Sequence, residues 1–337
     1  MTVFHGLGPV PGTDVRAVAE ILAGETGAMP HLPILPARGL GSDAVGRTTA
    51  LCADLSVDRG ARSWRITDRP GHAQRVAADH VERDLDVCEE FWGTGPDTVV
   101  VPVTGPWTLA ASLELAGGHR MLTDGGAVTY LAESLAAGVV DHVADVRRRF
   151  DAEVLVVLDE PAAGAVAAGR LPDATGGSHL PPVGHREMSE AWRTVTGATP
   201  RTVLSLPELA DGVHVALIDS GAASVAVPVS AIRGTAALDA LGAVRASGID
   251  VVFGAVPARP QGTDAHTGEY LEPEFRDVAV DVARLWDELS FPRIDLVDHV
   301  GLTVAPGFAA APAEWIAPAY ATGRRAAELM GRAAGDL

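Results

Sequence analysis

The residues most able to do chemistry follow a buried-looking apolar segment in the middle of the chain. Residues 154–158 are a run of β-branched and aliphatic side chains, and Asp159, Glu160 and Pro161 come directly after it. A continuous apolar run of this length is typical of a strand that is buried on both faces of a parallel sheet. Acidic side chains are costly to place there, so Asp159 and Glu160 are candidates for a catalytic site at the end of this strand.

Asp159 and Glu160 are adjacent, which constrains how both can be used. On an extended backbone successive side chains point to opposite sides, so one carboxylate can face a site while the other pairs with a neighbour such as Arg38. Both could instead be ordinary loop carboxylates that cap the helix after Pro161. We expect a functional role for Asp159 and leave Glu160 open between the two interpretations, while counting both among the catalytic candidates.

Further side chains next to other apolar segments could take part in chemistry or binding. His299, beside Asp298, could be a general base or a ligand, or a polar rim residue bonded to the backbone. Trp107 follows a Gly-Pro turn and could stack on a flat ligand or cap a hydrophobic core. Arg38 could anchor an anion or a carboxylate, and His5 has the same ambiguity. We take His299 as a catalytic candidate, and Trp107 and Arg38 as substrate-binding candidates.

Eight candidate strands, most of them followed by helical periodicity, would position these residues. They are short and apolar throughout, which favours parallel strands covered on both faces. The candidate strands are residues 3–7, 31–36, 98–104, 154–158, 201–206, 224–229, 249–256 and 295–304. This alternation predicts an α/β fold, namely a single (β/α)8 TIM barrel over residues 1–337. Residues 41–70, rich in Gly, Arg and Asp, are predicted to be an irregular insertion such as a lid, an arm or a surface excursion.

A doubly wound open sheet would also explain the alternation. Such a sheet is expected to carry a phosphate-binding glycine fingerprint after its first strand. Gly6 and Gly8 lack a third glycine at the right spacing, and Pro9 is unfavourable where a helix would cradle a pyrophosphate. We therefore favour the closed barrel, in which the site lies at the C-terminal ends of the strands. Those ends add Leu7, Gly8 and Ser205 to the substrate-binding candidates.

Composition and charge narrow the classes of partner. The 337 residues are 47% hydrophobic and 21% charged, as in a packed soluble enzyme. A net charge of -18 would repel phosphate backbones and anionic lipids, so we expect neither a nucleic acid nor a membrane as partner. Cys52 and Cys88 are too few and too isolated for a disulfide framework or a cysteine-based zinc site. With no signal segment and no uncharged apolar run long enough to span a bilayer, the sequence predicts a cytoplasmic protein.

Four segments, taken together, resemble a known family. They are Gly-Leu-Gly-Pro-Val-Pro-Gly-Thr-Asp at 6–14, Gly-Pro-Trp-Thr at 105–108, Leu-Asp-Glu-Pro at 158–161 and Gly-Leu at 301–302. In this order the chain resembles the catalytic barrel of cobalamin-independent methionine synthase, in particular the short single-barrel form seen in actinobacteria. The resemblance covers essentially the whole chain and implies a TIM barrel that is shared with uroporphyrinogen decarboxylase.

The resemblance implies methyl transfer from a methyl-tetrahydrofolate to a homocysteine thiolate held on zinc, which lowers the pKa of the thiol. The family binds zinc with a His-x-Cys after strand five, a Glu after strand six and a Cys in Cys-Gly-Leu after strand eight. The matching positions here are 203–205, Pro228 and 300–302, which offer no donors suited to zinc. The family's first-strand serine is Pro9 here, whereas Asp159, which holds the substrate amino group in relatives, is retained. We therefore expect no zinc, with a methyl-tetrahydrofolate as a possible co-substrate.

Three functions follow from this comparison of motifs. The first is a divergent barrel for methyl or one-carbon transfer, or for binding a folate-type or amino-acid-type ligand, without the family's zinc. The second is a non-catalytic partner or sensor derived from the synthase barrel, which would have a protein partner. The third is a decarboxylase-like barrel, which would need several arginines near its mouth to bind tetrapyrrole carboxylates. The N-terminal loop offers none before Arg16, so the third is the least favoured.

Overall fold

The computed structural model describes residues 3–210, 212–263 and 270–333. Within them the strands form two sheets, one of six strands and one of three. The strands are β1 Val57–Arg59, β2 Trp64–Ile66, β3 Thr98–Thr104, β4 Leu113–Glu114, β5 Glu153–Asp159, β6 Thr202–Ser205, β7 Ser224–Pro228, β8 Asp250–Val256 and β9 Val300–Val304. The chain is therefore an α/β protein.

Helices lie between most of the strands and account for the alternation in the sequence. They are α1 Val15–Glu25, α2 Ala44–Leu51, α3 His72–Trp92, α4 Pro106–Ser112, α5 Gly125–Phe150, α6 Ala163–Ala167, α7 His185–Thr196, α8 Val213–Ile218, α9 Gly234–Ala246, α10 Phe275–Glu288, α11 Asp295–Asp298 and α12 Ile316–Ala333. Side-chain caps fix several starts, because Asp14 and Asp124 accept hydrogen bonds from backbone N–H groups of the first turns of α1 and α5. No helix of the described residues is long and apolar enough to cross a membrane.

The six-stranded sheet is parallel throughout and follows the order of the chain, β3-β5-β6-β7-β8-β9. Alternate residues of neighbouring strands form a small apolar cluster on one face, with Leu155 and Val157 from β5 and Val203 from β6 among them. Leu7 packs against this cluster from the N-terminal segment. The opposite face of the sheet packs against the helices in a much larger core.

Two N-terminal segments connect the edges of this sheet. Phe4 forms a parallel bridge with Leu302 of β9, Pro9 one with Ile34, and His31 one with Val100 of β3. Residues 3–10 and 30–34, which include most of the first two candidate strands, are therefore held against the two edges of the six-stranded sheet by isolated bridges.

Six of the eight predicted strands are confirmed as strands, whereas the first two are present only as single parallel bridges. The physical reason lies in their prolines and in one glycine. Pro9 stands in the first segment, and Pro30, Pro33 and Pro36 stand in or beside the second. Proline has no N–H to donate, which limits the ladder of the second segment, and in the first segment Gly8, with a φ of +113°, leaves the extended conformation between the bridges at Phe4 and Pro9.

The last strand begins later than the sequence indicated. Residues 295–298 form the helical turn α11, and the N–H of His299 donates to the carbonyl of Asp295 at 2.8 Å. Strand β9 starts only at Val300, so His299 precedes it. The expectation that residues 295–304 form one strand that contains His299 is wrong in its first half, because residues 295–298 form a helical turn and the strand begins after His299.

The sequence predicted an irregular insertion over residues 41–70, but this segment contains regular secondary structure. It contains α2, followed by the antiparallel hairpin of β1 and β2, and β2 pairs in parallel with β4. Helix α2 starts after Asp43, whose carboxylate accepts from the N–H of Gly46 and from Nε1 of the buried Trp64. Strands of three residues are too short to produce a recognisable period, which explains why the pattern looked irregular.

Candidate functional site

A cavity of about 350 Å3 lies at the C-terminal ends of the parallel strands. Strands β5 to β9 each contribute residues from their C-terminal ends, and the segment that follows β9 forms one wall. The N-terminal segment contributes Gly6, Leu7 and Pro9, and Tyr320 reaches in from α12. The cavity therefore occupies the end of the sheet where parallel α/β proteins carry their sites.

Asp159, the last residue of β5, lines this cavity. It lies on the same face as Leu155 and Val157, since alternate residues of a strand share a face. Ser205, its register partner on β6, donates a hydrogen bond to the carboxylate and also lines the cavity. Burial raises the pKa of Asp159 to about 6, while the hydrogen bond from Ser205 opposes the rise. Near neutral pH this carboxylate can therefore bind a cation or exchange a proton.

Tyr320 and His31 form a hydrogen-bonded pair beside the cavity, which the sequence gave no reason to expect. The hydroxyl of Tyr320 lies 2.7 Å from Nε2 of His31, and Nδ1 of His31 lies 3.2 Å from the carbonyl oxygen of Leu32. Burial lowers the pKa of His31 to about 4, so the imidazole is neutral. With Nδ1 donating to the carbonyl, Nε2 accepts the hydroxyl proton of Tyr320. The oxygen of Tyr320 then remains available only as an acceptor.

Gly6 makes this close approach possible. A side chain at that position would overlap both the ring of His31 and the hydroxyl of Tyr320. The two ring residues are 289 positions apart in the chain, so the pair could not be recognised from local spacing. A glycine before a predicted strand end was the only local signal, and turns give the same signal.

Glu160 points away from the cavity and is completely buried. Its carboxylate accepts four hydrogen bonds: from the backbone N–H groups of Trp107 and Thr108 at 3.0 and 2.7 Å, from the Thr108 hydroxyl at 2.6 Å, and from Nε1 of Trp192 at 2.8 Å. Burial raises the pKa of Glu160 to about 7, and these donors oppose the rise. The carboxylate thus satisfies the N-terminus of α4 and joins it to α7.

Trp107 and Arg38 are not among the residues that line the cavity. Trp107 is buried, and its Nε1 donates to the carbonyl of Met188 at 3.1 Å, so it packs in the core. Arg38 binds Asp84 through two hydrogen bonds of 2.8 and 2.5 Å. The partner of Arg38 is therefore this buried aspartate rather than Glu160. Asp84 also binds Arg47 at 2.5 Å.

The remaining candidates are divided between the two ends of the sheet. Leu7 lines the cavity, whereas Gly8 adopts a φ of +113° and approaches Pro102 so closely that a side chain would overlap it. His299 lies at the opposite end, where its Nδ1 is 2.9 Å from a carboxylate oxygen of Asp250, the first residue of β8. The structure thus brings Asp159, Ser205 and Leu7 together and leaves His299 apart from them.

The side chains around the cavity do not fit the zinc that the family resemblance implies. Protein zinc sites use about four ligands, which are thiolates, imidazoles or carboxylates. Among the described lining residues Asp159 supplies one carboxylate, and Ser205, Thr303 and Tyr320 supply only hydroxyls. In the described part of the chain no group of three or more His, Cys, Asp or Glu side chains is arranged to hold a metal ion. Residues 300–302, which match the family's last zinc-binding motif, were expected to follow the last strand. They lie inside β9 instead, because Val300 begins this strand and the cavity wall follows Val304.

The two cysteines lie away from this site. Cys52 and Cys88 are both buried outside the lining of the cavity. Burial raises the pKa of the Cys52 thiol to about 12 and raises that of Cys88 as well. Neither thiol is therefore suited to act as a nucleophile near neutral pH.

A parallel α/β sheet with a cavity at the C-terminal ends of its strands defines a class of protein to which TIM barrels belong. The structure is similar to that of a B12-independent methionine synthase from Shewanella sp. in complex with selenomethionine. The TM-score is 0.57 at 8% identity, and the match covers 98% of this chain and 97% of that one. At this identity the likeness shows the fold alone.

Two glycoside-active enzymes are more distant in structure. A β-1,4-mannanase matches with a TM-score of 0.36 at 12% identity, over 96% of this chain and 98% of its own. An exo-β-N-acetylglucosaminidase from Vibrio harveyi matches with a TM-score of 0.40 at 11% identity, over 98% and 56%. No protein-family model and no curated protein sequence matches the chain.

Proposed function

We propose that this chain is a methionine-synthase-like barrel that binds a small molecule in the cavity at the strand ends and carries out methyl or one-carbon transfer without zinc. The observation that carries the proposal is Asp159, the one charged side chain among the described residues that line the cavity. In this proposal Asp159 holds an amino group of the ligand, and Ser205 orients the carboxylate.

The character of the cavity supports a small ligand with a large apolar part. Leu7, Val227, Val304 and Phe308 contribute apolar walls. A volume of about 350 Å3 is at the lower end of the range for small-molecule sites. A carboxylate within apolar walls attracts a cation more strongly than it would in water, because the surroundings screen the charge poorly. An ammonium group at Asp159 therefore satisfies the one charge that the cavity contains.

Asp159 also offers proton transfer, which a metal-free reaction would need. A thiol or an ammonium group must lose a proton before it can accept a methyl group, and zinc lowers the pKa of a bound thiol in metal-dependent enzymes. With a pKa of about 6, the ionised Asp159 can accept such a proton near neutral pH. A methyl-tetrahydrofolate is the methyl donor that we propose, in keeping with the family resemblance.

In this proposal the fold is a complete (β/α)8 barrel of the methionine synthase type. Residues 3–10 and 30–34 would take the places of the first two strands. The parallel bridges from Phe4 to Leu302, from Pro9 to Ile34 and from His31 to Val100 support this view. The similarity to the methionine synthase structure over nearly the full length of both chains supports it too.

Ligand binding to matched variants tests the proposed function. We expect isothermal titration with a panel of amines, amino acids and folates to find a ligand for the native protein. Asp159→Asn should weaken binding of that ligand by at least about tenfold, because the amide carries no charge to pair with an ammonium. Asp239→Asn, on the exposed surface of α9, is the control and should bind as the native protein does. Equal binding by Asp159→Asn would contradict the proposal.

A non-catalytic sensor or partner protein is the second candidate. Asp159 is the one side chain of a zinc-binding type among the described residues that line the cavity, which favours this candidate, because a protein without the metal of its relatives can still bind a ligand. Incubating the native protein with its ligand and methyl-tetrahydrofolate separates the two functions. Appearance of a methylated ligand supports the transferase, whereas binding without turnover, together with a stable protein partner, supports the sensor.

A further inference from the structure

We propose that the cavity selects an amine with an apolar body and no free carboxylate, and that it discriminates against zwitterionic amino acids. The inference deepens the proposed function and rests on it, since it takes the amino group to lie at Asp159. It defines the ligand class by what the charges of the cavity can accept.

The charge inventory of the cavity carries the argument. Among the described lining residues Asp159 is negative, and none is Arg, Lys or His. The ammonium group of an amino acid would be paired there, but its carboxylate would enter the same apolar space without a cation. A buried charge that lacks a partner is strongly unfavourable, and two carboxylates on one small ligand site also repel each other.

The hydroxyl groups of the cavity do not compensate for the missing cation. The hydroxyl of Ser205 donates a hydrogen bond to Asp159, and the hydroxyl of Tyr320 donates one to His31. The oxygens of both hydroxyls therefore present lone pairs to a ligand. Thr303 retains a neutral hydroxyl at the wall. Acceptors of this kind complement the several N–H bonds of an ammonium group and oppose a carboxylate.

The N-terminal segment also lacks a carboxylate anchor. Pro9 lines the cavity and has neither a hydroxyl nor an N–H group. The next N–H, that of Val10, is bonded to the carbonyl of Ile34 at 2.9 Å. Arg38, which the sequence offered as an anion anchor, is held by Asp84 outside the lining of the cavity. This side of the cavity is therefore built for apolar contact.

Matched ligand pairs test the inference, because each pair differs only in the carboxylate. The pairs are methionine and its decarboxylated amine, leucine and isoamylamine, and phenylalanine and phenethylamine. Isothermal titration at about pH 7 keeps Asp159 largely ionised. We expect at least one amine to bind the native protein at least about tenfold tighter than its parent amino acid. Asp159→Asn should weaken the binding of that amine and reduce the preference, because the pairing with the ammonium and the repulsion of the carboxylate are both lost, and Asp239→Asn should retain both.

The outcomes separate this inference from the proposed function. An amino acid that binds as tightly as its amine, or tighter, and does so through Asp159, would overturn the carboxylate discrimination and leave the proposed function standing. Failure of all six ligands to bind the native protein would overturn both. Circular dichroism and thermal melting of Asp159→Asn establish that it is folded, so that lost binding reports on the charge.

Discussion

At the scale of single residues, Asp159 and Glu160 show how strand geometry gives two adjacent carboxylates different environments. Asp159 faces the cavity and keeps one identified side-chain donor, Ser205. Glu160 faces the interface between α4 and α7 and accepts four hydrogen bonds. The first carboxylate is poorly compensated and available to a ligand, whereas the second is fully engaged within the protein. A functional role therefore suits Asp159, and a structural role suits Glu160.

Asp159 should destabilise the native protein near neutral pH. Burial raises its pKa from 3.8 to about 6, so the folded state binds the proton more tightly than the unfolded state. The resulting stability is present below pH 3.8 and is lost as the pH rises through 6. We therefore expect Asp159→Asn to increase the free energy of unfolding by about 1–3 kcal/mol at about pH 8.

Urea denaturation followed by tryptophan fluorescence measures this effect. The gain from Asp159→Asn should shrink as the pH falls through 6 and approach zero below pH 3.8, where both states hold the proton. Asp239→Asn on the surface of α9 serves as the control and should change little at any pH. A destabilised Asp159→Asn protein near neutral pH would show that the carboxylate supports the fold instead.

Glu160→Ala should destabilise the fold. Alanine leaves donors such as the N–H and hydroxyl of Thr108 and Nε1 of Trp192 without an acceptor. Leaving buried donors unpaired costs about 2–4 kcal/mol in the free energy of unfolding. Denaturation of Glu160→Ala beside Glu190→Ala, an exposed change on the same helix as Trp192, checks this. Equal stability of the two variants would refute the structural role.

At the scale of elements, the contact between α2 and α5 depends on a glycine. Gly138, in the middle of α5, is so close to the carbonyl group of Leu51 that a side chain would overlap it. This approach packs α2, within the segment 41–70, against α5. The hydroxyl of Ser134, one turn earlier on α5, donates to the carbonyl of Ala53 and reinforces the same contact.

Two glycine substitutions in helices should therefore have opposite signs. Gly138→Ala should lower the free energy of unfolding by about 1–3 kcal/mol, because the two helices must separate to admit the methyl group. Gly242→Ala in α9 meets no atom within 4 Å. It should raise the free energy of unfolding by about 0.5–1 kcal/mol, because alanine favours helix more than glycine does. Thermal and urea denaturation of both variants measure the two signs.

At the scale of the whole molecule, the segments around the cavity are held to their neighbours in two ways. Six strands are joined by continuous ladders, whereas residues 3–10 and 30–34 are joined to each other and to the sheet by single bridges. Leu7 and Pro9, which line the cavity, belong to the segments held by single bridges. Ligand access would then depend on residues 3–10 and 30–34, because the bridges that hold them open more easily than the ladders of the sheet.

Hydrogen exchange should reveal this difference. The amides of Val10, Leu32 and Ile34, which form the bridge bonds, should exchange at least about tenfold faster than amides inside β5 and β7. Few hydrogen bonds need to break for the bridges to open, whereas the ladders open only with much of the sheet. Exchange measured by mass spectrometry on peptides from both regions tests this. Equal protection of the bridge amides and the amides of β5 and β7 would show that these segments open together with the sheet as one cooperative unit.

The sequence alone determined the features that depend on local patterns. The apolar run before Asp159 predicted a buried parallel strand, and the structure has β5 there with Asp159 at its end. Helical periodicity after most of the candidate strands predicted helices there, because burial of one face repeats every three or four residues. The sequence also placed Asp159 and Ser205 at the ends of two strands, and the structure has them at the ends of the neighbouring strands β5 and β6.

Only the tertiary structure decided which partners each side chain meets. Glu160 receives its donors from two helices, His31 meets Tyr320 from the far end of the chain, and Arg38 is captured by Asp84. His299 lies at the opposite end from Asp159 because a helical turn replaces the predicted start of its strand. Periodicity reports whether a residue is buried, but the identity and charge of its neighbours come from segments distant in sequence, and those contacts fix its pKa and its role.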